Sequence, residues 1–227
     1  MDKLDNPVWY ALRETHQPFA VTYPGIIFYA PDYCPFGGFE HAEETKDGIR
    51  LYASRIDNFF VVGEKPQLPA GLTIKNELVC LQMVIDRRID VSDVKEAEHI
   101  VMLSAAHHDA LFQLINLVQP GYFKIKTAAL GAYYGIFRDG KLVSVSGEQM
   151  KLNAFTEVSA IVTHPDYAGR GYARQLTAHA VNNILVQNKI PYLHVVESNT
   201  RAVSLYEKLG FKTRRRMSFW SIAKQNV

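Results

Sequence analysis

The residue pattern that points most directly to chemistry is a glycine-containing segment at the start of a predicted helix. Gly169, Gly171 and Ala173 alternate in HPDYAGRGYA, between a β-rich run and a helical pattern. Small residues let backbone N–H groups approach an anion, and the helix dipole adds to the attraction. The sequence therefore predicts a pyrophosphate cradle, although such glycines can also simply shape a tight turn. The cradle would be formed by Gly169, Arg170, Gly171, Tyr172, Ala173 and Arg174.

Three kinds of nucleotide-binding loop compete for this segment. A Walker loop needs Gly-Lys followed by Ser or Thr, which is absent here. A Rossmann loop has its first glycine at the strand end and a second mononucleotide half downstream. In this chain THPDYA separates the strand from the glycines, and too little sequence follows the next strand. Glu197, at the end of that strand, could imitate the Rossmann ribose ligand, so this alternative stays open.

The third kind of loop is found by resemblance. HPDYAGRGYARQL resembles the coenzyme A loop of the GNAT superfamily of acyl-CoA N-acyltransferases, in which Arg or Gln precedes two residues, Gly, one residue, and Gly or Ala. Gly171 and Ala173 match the last two positions, and Ala168 departs from the first. SNTRAVSLYEKLGF resembles the family's closing motif. The resemblance covers about residues 100–227 and is close to the branch that includes glycine N-acyltransferase-like proteins.

The resemblance implies an enzyme that uses acetyl-CoA as co-substrate and no metal. It would transfer the acetyl group to the primary amine of a small molecule, amino acid or peptide by direct attack. The cofactor's pantetheine arm would bind exposed strand backbone at Ile161, Val162 and Thr163. Asn199 would either contact this arm or cap its helix. The alternative is a non-catalytic regulatory module that binds acetyl-CoA and transfers nothing.

Acetyl transfer requires a neutral amine, a polarised thioester carbonyl and a proton for the departing thiolate. The resemblance implies that Glu157 is the base and that Tyr206 protonates the thiolate. By the two-residue period of a strand, Glu157 shares a face with Ile161 and Thr163, and a backbone N–H near Ile161 would hold the oxyanion. Alternatively, Glu157 only orders its strand or binds the amine, and Tyr206 is a core residue. His194 is a lone strand histidine, which is more often structural.

These residues need a fold that brings two strands and two helices together. We expect an α+β fold with a GNAT-like mixed, mostly antiparallel sheet, one splayed parallel strand pair and flanking helices, preceded by a smaller α/β N-terminal region. The acetyltransferase domain would span residues 98–227. Its predicted elements are a helix at His107–Gln119, a hairpin turning at Asp139–Gly140, strands at His99–Leu103, Thr156–Thr163 and Pro191–Glu197, a helix from Ala173 to Asn188, and a helix at 200–209.

Residues 1–97 carry fewer signals. Short apolar runs predict strands at Ile26–Tyr29, Phe59–Val62 and Leu78–Ile85, a weak helical pattern covers Ala42–Ser54, and a charged connection follows over residues 86–99. This region would be either a substrate-side element or a partial GNAT-like half. Its aromatic residues could cover the amine side of the cleft or form core; these are Tyr23, Phe28, Tyr33 and Phe36.

Bulk composition excludes several classes of protein. The chain has 227 residues, of which 48% are hydrophobic and 21% charged, as in a globular protein. A net charge of +2, with Arg214–Arg216 as the main basic cluster, argues against nucleic acid binding. Two cysteines, Cys34 and Cys80, are too few for a disulfide scaffold, and neither has the pattern of an acyl-enzyme nucleophile. Neither a signal peptide nor a membrane span is expected, so we predict a cytoplasmic protein, with homodimerisation left open.

Overall fold

The computed structural model of the protein describes residues 2–92 and 97–225. It contains an α+β fold with one sheet of eleven strands. The helices are α1 (Pro7–Arg13), α2 (Thr45–Ala53), α3 (His108–Val118), α4 (Tyr172–Val186) and α5 (Thr200–Leu209). The strands are β1 (Ala20–Tyr23), β2 (Ile26–Tyr29), β3 (Phe36–Gly38), β4 (Asn58–Val62), β5 (Leu72–Val84), β6 (Ile100–Met102), β7 (Tyr133–Arg138), β8 (Lys141–Gln149), β9 (Phe155–Thr163), β10 (Ile190–Val196) and β11 (Lys212–Lys224).

The strands lie in the order β1-β2-β3-β4-β11-β5-β10-β9-β8-β7-β6. Neighbouring strands are antiparallel except for the pairs β9/β10 and β3/β4. This confirms the predicted mixed, mostly antiparallel sheet and adds a second parallel pair in the N-terminal part. The C-terminal strand β11 lies between β4 and β5, so strands from both parts of the chain share one sheet. The division at residue 97 stays a prediction, and residues 93–96 of the predicted connection lie outside the described residues.

Helices cover both faces of the sheet. On one face, α4 and α5 pack on side chains such as Val158 of β9 and Leu193 of β10. On the opposite face, α1 packs towards Tyr192 of β10, and α3 packs on Val145 and Val162. Because successive side chains of a strand point to opposite faces, β9 and β10 each contribute to both layers. In the described parts of the chain, no helix combines the length and apolar character needed to cross a membrane.

The predicted secondary structure is confirmed for the elements with strong periodicity. The helix predicted at His107–Gln119 is α3, and the predicted hairpin is β7/β8, whose turn has positive φ at Asp139 (50°) and Gly140 (74°). Positive φ at both central residues fits the twist of a tight hairpin. The short elements α1, β1 and β3 were not predicted, because three to seven residues are too few to reveal a period.

Candidate functional site

The parallel pair β9/β10 opens into a cleft. The strands are in register only at Ile190 with Phe155, Pro191 with Thr156, and Tyr192 with Glu157. Both strands continue beyond this point, yet they no longer pair. Side chains of β9, β10 and α5 line the resulting cleft of about 360 Å³. The predicted splay is therefore present and begins at Glu157.

A β-bulge in β9 lies directly on this cleft. The register with β8 changes from Gly147 opposite Ser159 to Val145 opposite Val162, so β9 carries one extra residue. Ala160 has φ of 51°, in the left-handed region that residues with a side chain seldom adopt. Bulges bend a strand and locally strengthen its twist. This bulge therefore accounts for β9 turning away from β10.

The bulge also overturns one sequence-based expectation. Glu157, Ile161 and Thr163 were expected to share one face of the strand. The extra residue reverses the alternation, so Val162 takes the face of Glu157 and packs against α3. Ile161 instead packs with the core under α4. The prediction of a shared face was wrong, because a regular two-residue period does not anticipate a bulge.

Backbone direction near the bulge follows from the hydrogen bonds with β8. The His164 N–H donates to the Val143 carbonyl at 2.8 Å. In an antiparallel ladder this direction alternates, so the N–H and C=O of Thr163 point away from β8 and those of Val162 point towards it. Ile161 and Thr163 thus present backbone to the cleft side. The backbone of Val162 points towards β8 and its side chain is buried. Its contact with a cofactor stays a prediction.

Glu157 lies at the point where the strands part, with its side chain 4% exposed. Its Oε1 atom lies 2.7 Å from Nδ1 of His194 on β10. Its Oε2 atom is buried and has no hydrogen-bond partner among the described residues. A buried carboxylate oxygen without a partner is costly, and such groups are uncommon in native structures. Because Glu157 lines the cleft, a ligand donor in the cleft can satisfy this oxygen.

The neighbour of His194 determines which ring nitrogen carries the proton. The amide nitrogen of buried Gln82 donates to the Leu4 carbonyl at 2.8 Å, and its Oε1 accepts from Arg214 at 3.0 Å. The same amide nitrogen lies 3.1 Å from Nε2 of His194, so this ring nitrogen must accept. The proton therefore lies on Nδ1, which donates to Glu157.

Sequence reasoning missed both members of this network. His194 was interpreted as structural, and Gln82 was not considered. Gln82 belongs to β5 and lies directly opposite His194 in the antiparallel pair β10/β5. The available signal in the sequence was a polar residue in each of three apolar strands, namely Gln82 in β5, Glu157 in β9 and His194 in β10. Only the strand order shows that these three residues meet.

Tyr206 and Asn199 border the cleft from α5. Tyr206 is 7% exposed, on the face of the sheet that carries α4 and α5. Burial raises the pKa of its phenol well above the ordinary value, so the hydroxyl stays protonated at neutral pH. Asn199 caps α5, with its Oδ1 accepting from the Ala202 N–H at 3.2 Å. The capping role of Asn199 is therefore present, and its side-chain oxygen is engaged in it.

The glycine loop has an open backbone. Gly169 and Gly171 have φ of 81° and 79°, and Gly171 immediately precedes α4. A Cβ on either glycine would meet no other atom within 4 Å, so there is open space around both. Tyr172 points into the core, and Arg170 lies over the Tyr167 ring at 5.0 Å. An anion at this helix N-terminus would therefore meet mainly backbone N–H groups.

Comparisons with known proteins agree with this geometry. Residues 133–221 match the family described as FR47-like protein. A solved structure of a GNAT-family protein from Novosphingobium aromaticivorans DSM 12444 is 28% identical, covers 100% of both chains and has a TM-score of 0.87. The chain therefore has the GNAT fold over its whole length. No curated protein matches it.

Two more distant structures share the GNAT fold. A GCN5-related N-acetyltransferase from Kribbella flavida has 14% identity, a TM-score of 0.63, and covers 96% of this chain and 93% of its own. A GCN5-related N-acetyltransferase-like protein from Streptococcus suis 89/1591 has 16% identity, a TM-score of 0.65, and covers 94% and 92%. These similarities extend the fold over residues 1–97 as well. The closeness to the glycine N-acyltransferase-like branch stays a prediction.

The two cysteines, Cys34 and Cys80, are poor nucleophiles. Cys80 lines the cleft, but burial, with a smaller contribution from the charge of Glu157, raises the pKa of its thiol to about 12. Cys34 is fully buried, and burial raises its pKa as well. Because the thiolate is the reactive form, both thiols are suited to packing rather than to an acyl-enzyme.

Glu197 and the arginine cluster Arg214–Arg216 form ion pairs within the chain. Glu197, the candidate ribose ligand, accepts two hydrogen bonds from Arg216 at 2.8 and 2.6 Å. Arg214 and Arg215 pair with Asp5 at 2.7 and 2.8 Å. The arginine cluster is therefore engaged by carboxylates of the chain itself. In residues 2–92 and 97–225, no group of three or more His, Cys, Asp or Glu side chains is arranged to hold a metal ion.

Proposed function

We propose that this protein is an acetyl-CoA-dependent N-acetyltransferase that acetylates the primary amine of a small molecule, amino acid or peptide by direct attack. The observation that carries this proposal is the Oε2 atom of Glu157. It is a buried carboxylate oxygen without a partner, at the point where β9 and β10 part. An amine in the cleft supplies the missing donor and gives up a proton to it.

The donor side of the cleft suits acetyl-CoA. The open backbone at Gly169 and Gly171, followed by the N-terminus of α4, matches the needs of a pyrophosphate. The cleft-side backbone of Ile161 and Thr163 can bond the amides of the pantetheine arm as an added strand would. A backbone N–H near Ile161 is our candidate donor to the oxyanion. None of these contacts requires a particular side chain, so they do not depend on the Arg or Gln that Ala168 replaces at the first position of the loop.

The two catalytic residues lie on opposite faces of the sheet. Glu157 shares its face with α1 and α3, whereas Tyr206 lies on the face of α4 and α5. In the proposed reaction, Glu157 takes a proton from the ammonium and the free amine attacks the thioester carbonyl. The C–S bond then breaks, the thiolate takes a proton from Tyr206, and the phenolate regains a proton from the acetylated nitrogen, which still carries one proton more than the amide. The products are the N-acetylamide and coenzyme A, and the proton on Glu157 returns to solvent.

His194 and Gln82 act as positioning residues in this scheme. His194 donates to Oε1 of Glu157, which fixes the orientation of the carboxylate and leaves Oε2 directed to the amine. Gln82 holds the histidine in the tautomer that can donate.

The test measures acetyl-CoA binding and thiol release separately. Glu157→Gln is expected to lower kcat/KM about 100-fold or more, and Tyr206→Phe to lower kcat about tenfold or more, both with unchanged acetyl-CoA affinity. Glu197→Gln, which removes a surface carboxylate, is the matched control and is expected to keep wild-type activity. Acetyl-CoA binding without thiol release for any amine would support the regulatory module and contradict the proposal.

A further inference from the structure

Aromatic and aliphatic side chains surround Glu157 on its own face of the sheet. If acetyl-CoA enters on the side of α4 and α5, the acceptor must approach from the side of α1 and α3. There the cleft is lined by Phe36, Leu78, Tyr122 and Phe219. Phe219 also contacts the His194 ring edge-to-face, with centroids 5.3 Å apart. The acceptor side is therefore an aromatic and aliphatic wall next to the base.

Aromatic contacts hold this wall together. The Phe36 ring lies 5.6 Å from Phe219 and 6.4 Å from Tyr122, and Phe60 lies 5.2 Å from Tyr122. The N-terminal part of the chain supplies Phe36 to the cleft. In contrast, Phe28 is fully buried away from the cleft. Ring contacts of this type favour a flat, apolar ligand body.

The scarcity of charged side chains in the cleft decides which ligands fit. Among the described residues, Glu157 is the only Asp, Glu, Lys or Arg that lines the cleft, and His194 already donates to Glu157 through Nδ1 and accepts from Gln82 through Nε2. The wall's other buried polar groups are satisfied by the chain itself. Ser159 donates to Gln149 at 3.1 Å, and Gln149 donates to Cys34 at 3.2 Å. The wall thus offers one carboxylate for one amine and no cation for an acid group.

We propose that the acceptor is a primary amine on an apolar, preferably aromatic, body without a carboxylate or phosphate, for example an arylalkylamine. This narrowing rests on the proposed function, because it assumes that Glu157 receives the reacting amine. In an α-amino acid the carboxylate is attached to the same carbon as the amine. It would therefore be brought next to Glu157 with no positive partner, which is unfavourable for any buried charge. A second ammonium, as in a diamine, would likewise lack a carboxylate in the cleft.

The test compares amines that share a body and differ in charge. The probes are 2-phenylethylamine, phenylalanine and phenylalanine amide, with hexylamine and 1,6-diaminohexane as an aliphatic pair. We expect kcat/KM for phenylalanine to be at least about tenfold lower than for 2-phenylethylamine, with the uncharged amide retaining most of the activity. Hexylamine should likewise exceed the diamine. Equal or better use of phenylalanine or the diamine would overturn the proposed substrate class while supporting acetyl transfer itself.

A charge variant at the mouth of the cleft gives an independent readout. Gln119 lines the cleft, is exposed and ends α3, so its replacement should not disturb folding. Gln119→Lys supplies the missing cation and should raise the phenylalanine to 2-phenylethylamine ratio about two- to fivefold. Gln119→Met, similar in length and uncharged, should leave that ratio unchanged. An equal change in both variants would contradict the charge argument. If the protein bound acetyl-CoA but released no thiol with any amine of the panel, this result would instead contradict the proposed function.

Discussion

Replacing His194 tests how Glu157 is held in a reactive state. The Nδ1 atom of His194 is the only partner of the Glu157 carboxylate among the described residues, at 2.7 Å, and both side chains are 4% exposed. In His194→Phe the ring remains but the donor is lost, so both carboxylate oxygens lack a partner. In His194→Asn the amide nitrogen can take the place of Nδ1. The two variants therefore separate the hydrogen bond from the packing.

The size of the effect follows from this single hydrogen bond. A hydrogen bond to a charged group contributes about 1.5–3 kcal/mol, and about 1.4 kcal/mol corresponds to a tenfold change in rate. Losing the donor leaves Oε1 without a partner and no longer fixes the orientation of the carboxylate. We therefore expect kcat/KM to fall about 10- to 100-fold in His194→Phe.

The assay is steady-state kcat/KM for the amine, with acetyl-CoA affinity and thermal melting measured on the same samples. His194→Asn should keep kcat/KM within about threefold of wild type, since its donor remains. A merely structural role would lower the melting temperature or the acetyl-CoA affinity in both variants and would give no rescue by Asn. Wild-type kcat/KM in a folded His194→Phe variant that binds acetyl-CoA would refute the positioning role.

Two further predictions concern the loop and the stability of the fold. Gly171→Ala places a side chain on a residue with φ of 79° and should weaken acetyl-CoA binding about 5- to 30-fold, as measured by calorimetry. Gly140→Ala is the control: this glycine is equally open and has φ of 74°, so the change should lower stability without changing the affinity. Equal affinities of the two variants would show that the loop is not part of the binding site. Burial lowers the pKa of His16 from 6.5 to about 4, so as pH falls the unfolded chain takes up the proton first and stability decreases between those values. The loss in the free energy of unfolding is about 3 kcal/mol over this interval. Denaturant titrations at pH 7 and 4.5 should therefore show that the stability of His16→Gln depends less on pH than that of wild type. The same pH dependence in both proteins would contradict this prediction.

Local signals in the sequence were enough to predict the glycine loop and the helix that follows it. The loop around Gly171 and the helix that follows it form within one short segment, so residue types and spacing define them. The bounds of α5 and the hairpin at Asp139 follow equally from caps and turn residues. These elements depend little on the rest of the chain, and a single sequence therefore reveals them.

The acceptor side depends on long-range pairing that no local pattern reports. Gln82 and His194 are 112 positions apart and meet only because β5 is inserted beside β10. The bulge at Ala160 is equally hidden, since alanine carries no signal for positive φ. The N-terminal region, which appeared to lack chemical features, supplies Gln82 and Phe36 to the site. Strand order, rather than residue spacing, is what joins these residues to Glu157.

The most direct test of the central proposal follows the acetyl group itself. The protein is incubated with ¹³C-acetyl-CoA and 2-phenylethylamine together with a broad amine panel, and mass spectrometry locates the label in wild type and in Glu157→Gln. The account predicts label on the amine nitrogen as an amide, a strongly reduced yield in Glu157→Gln, and no label on Cys80 at any time. Label that passes through a cysteine, or acetyl-CoA binding without label in any amine, would contradict it.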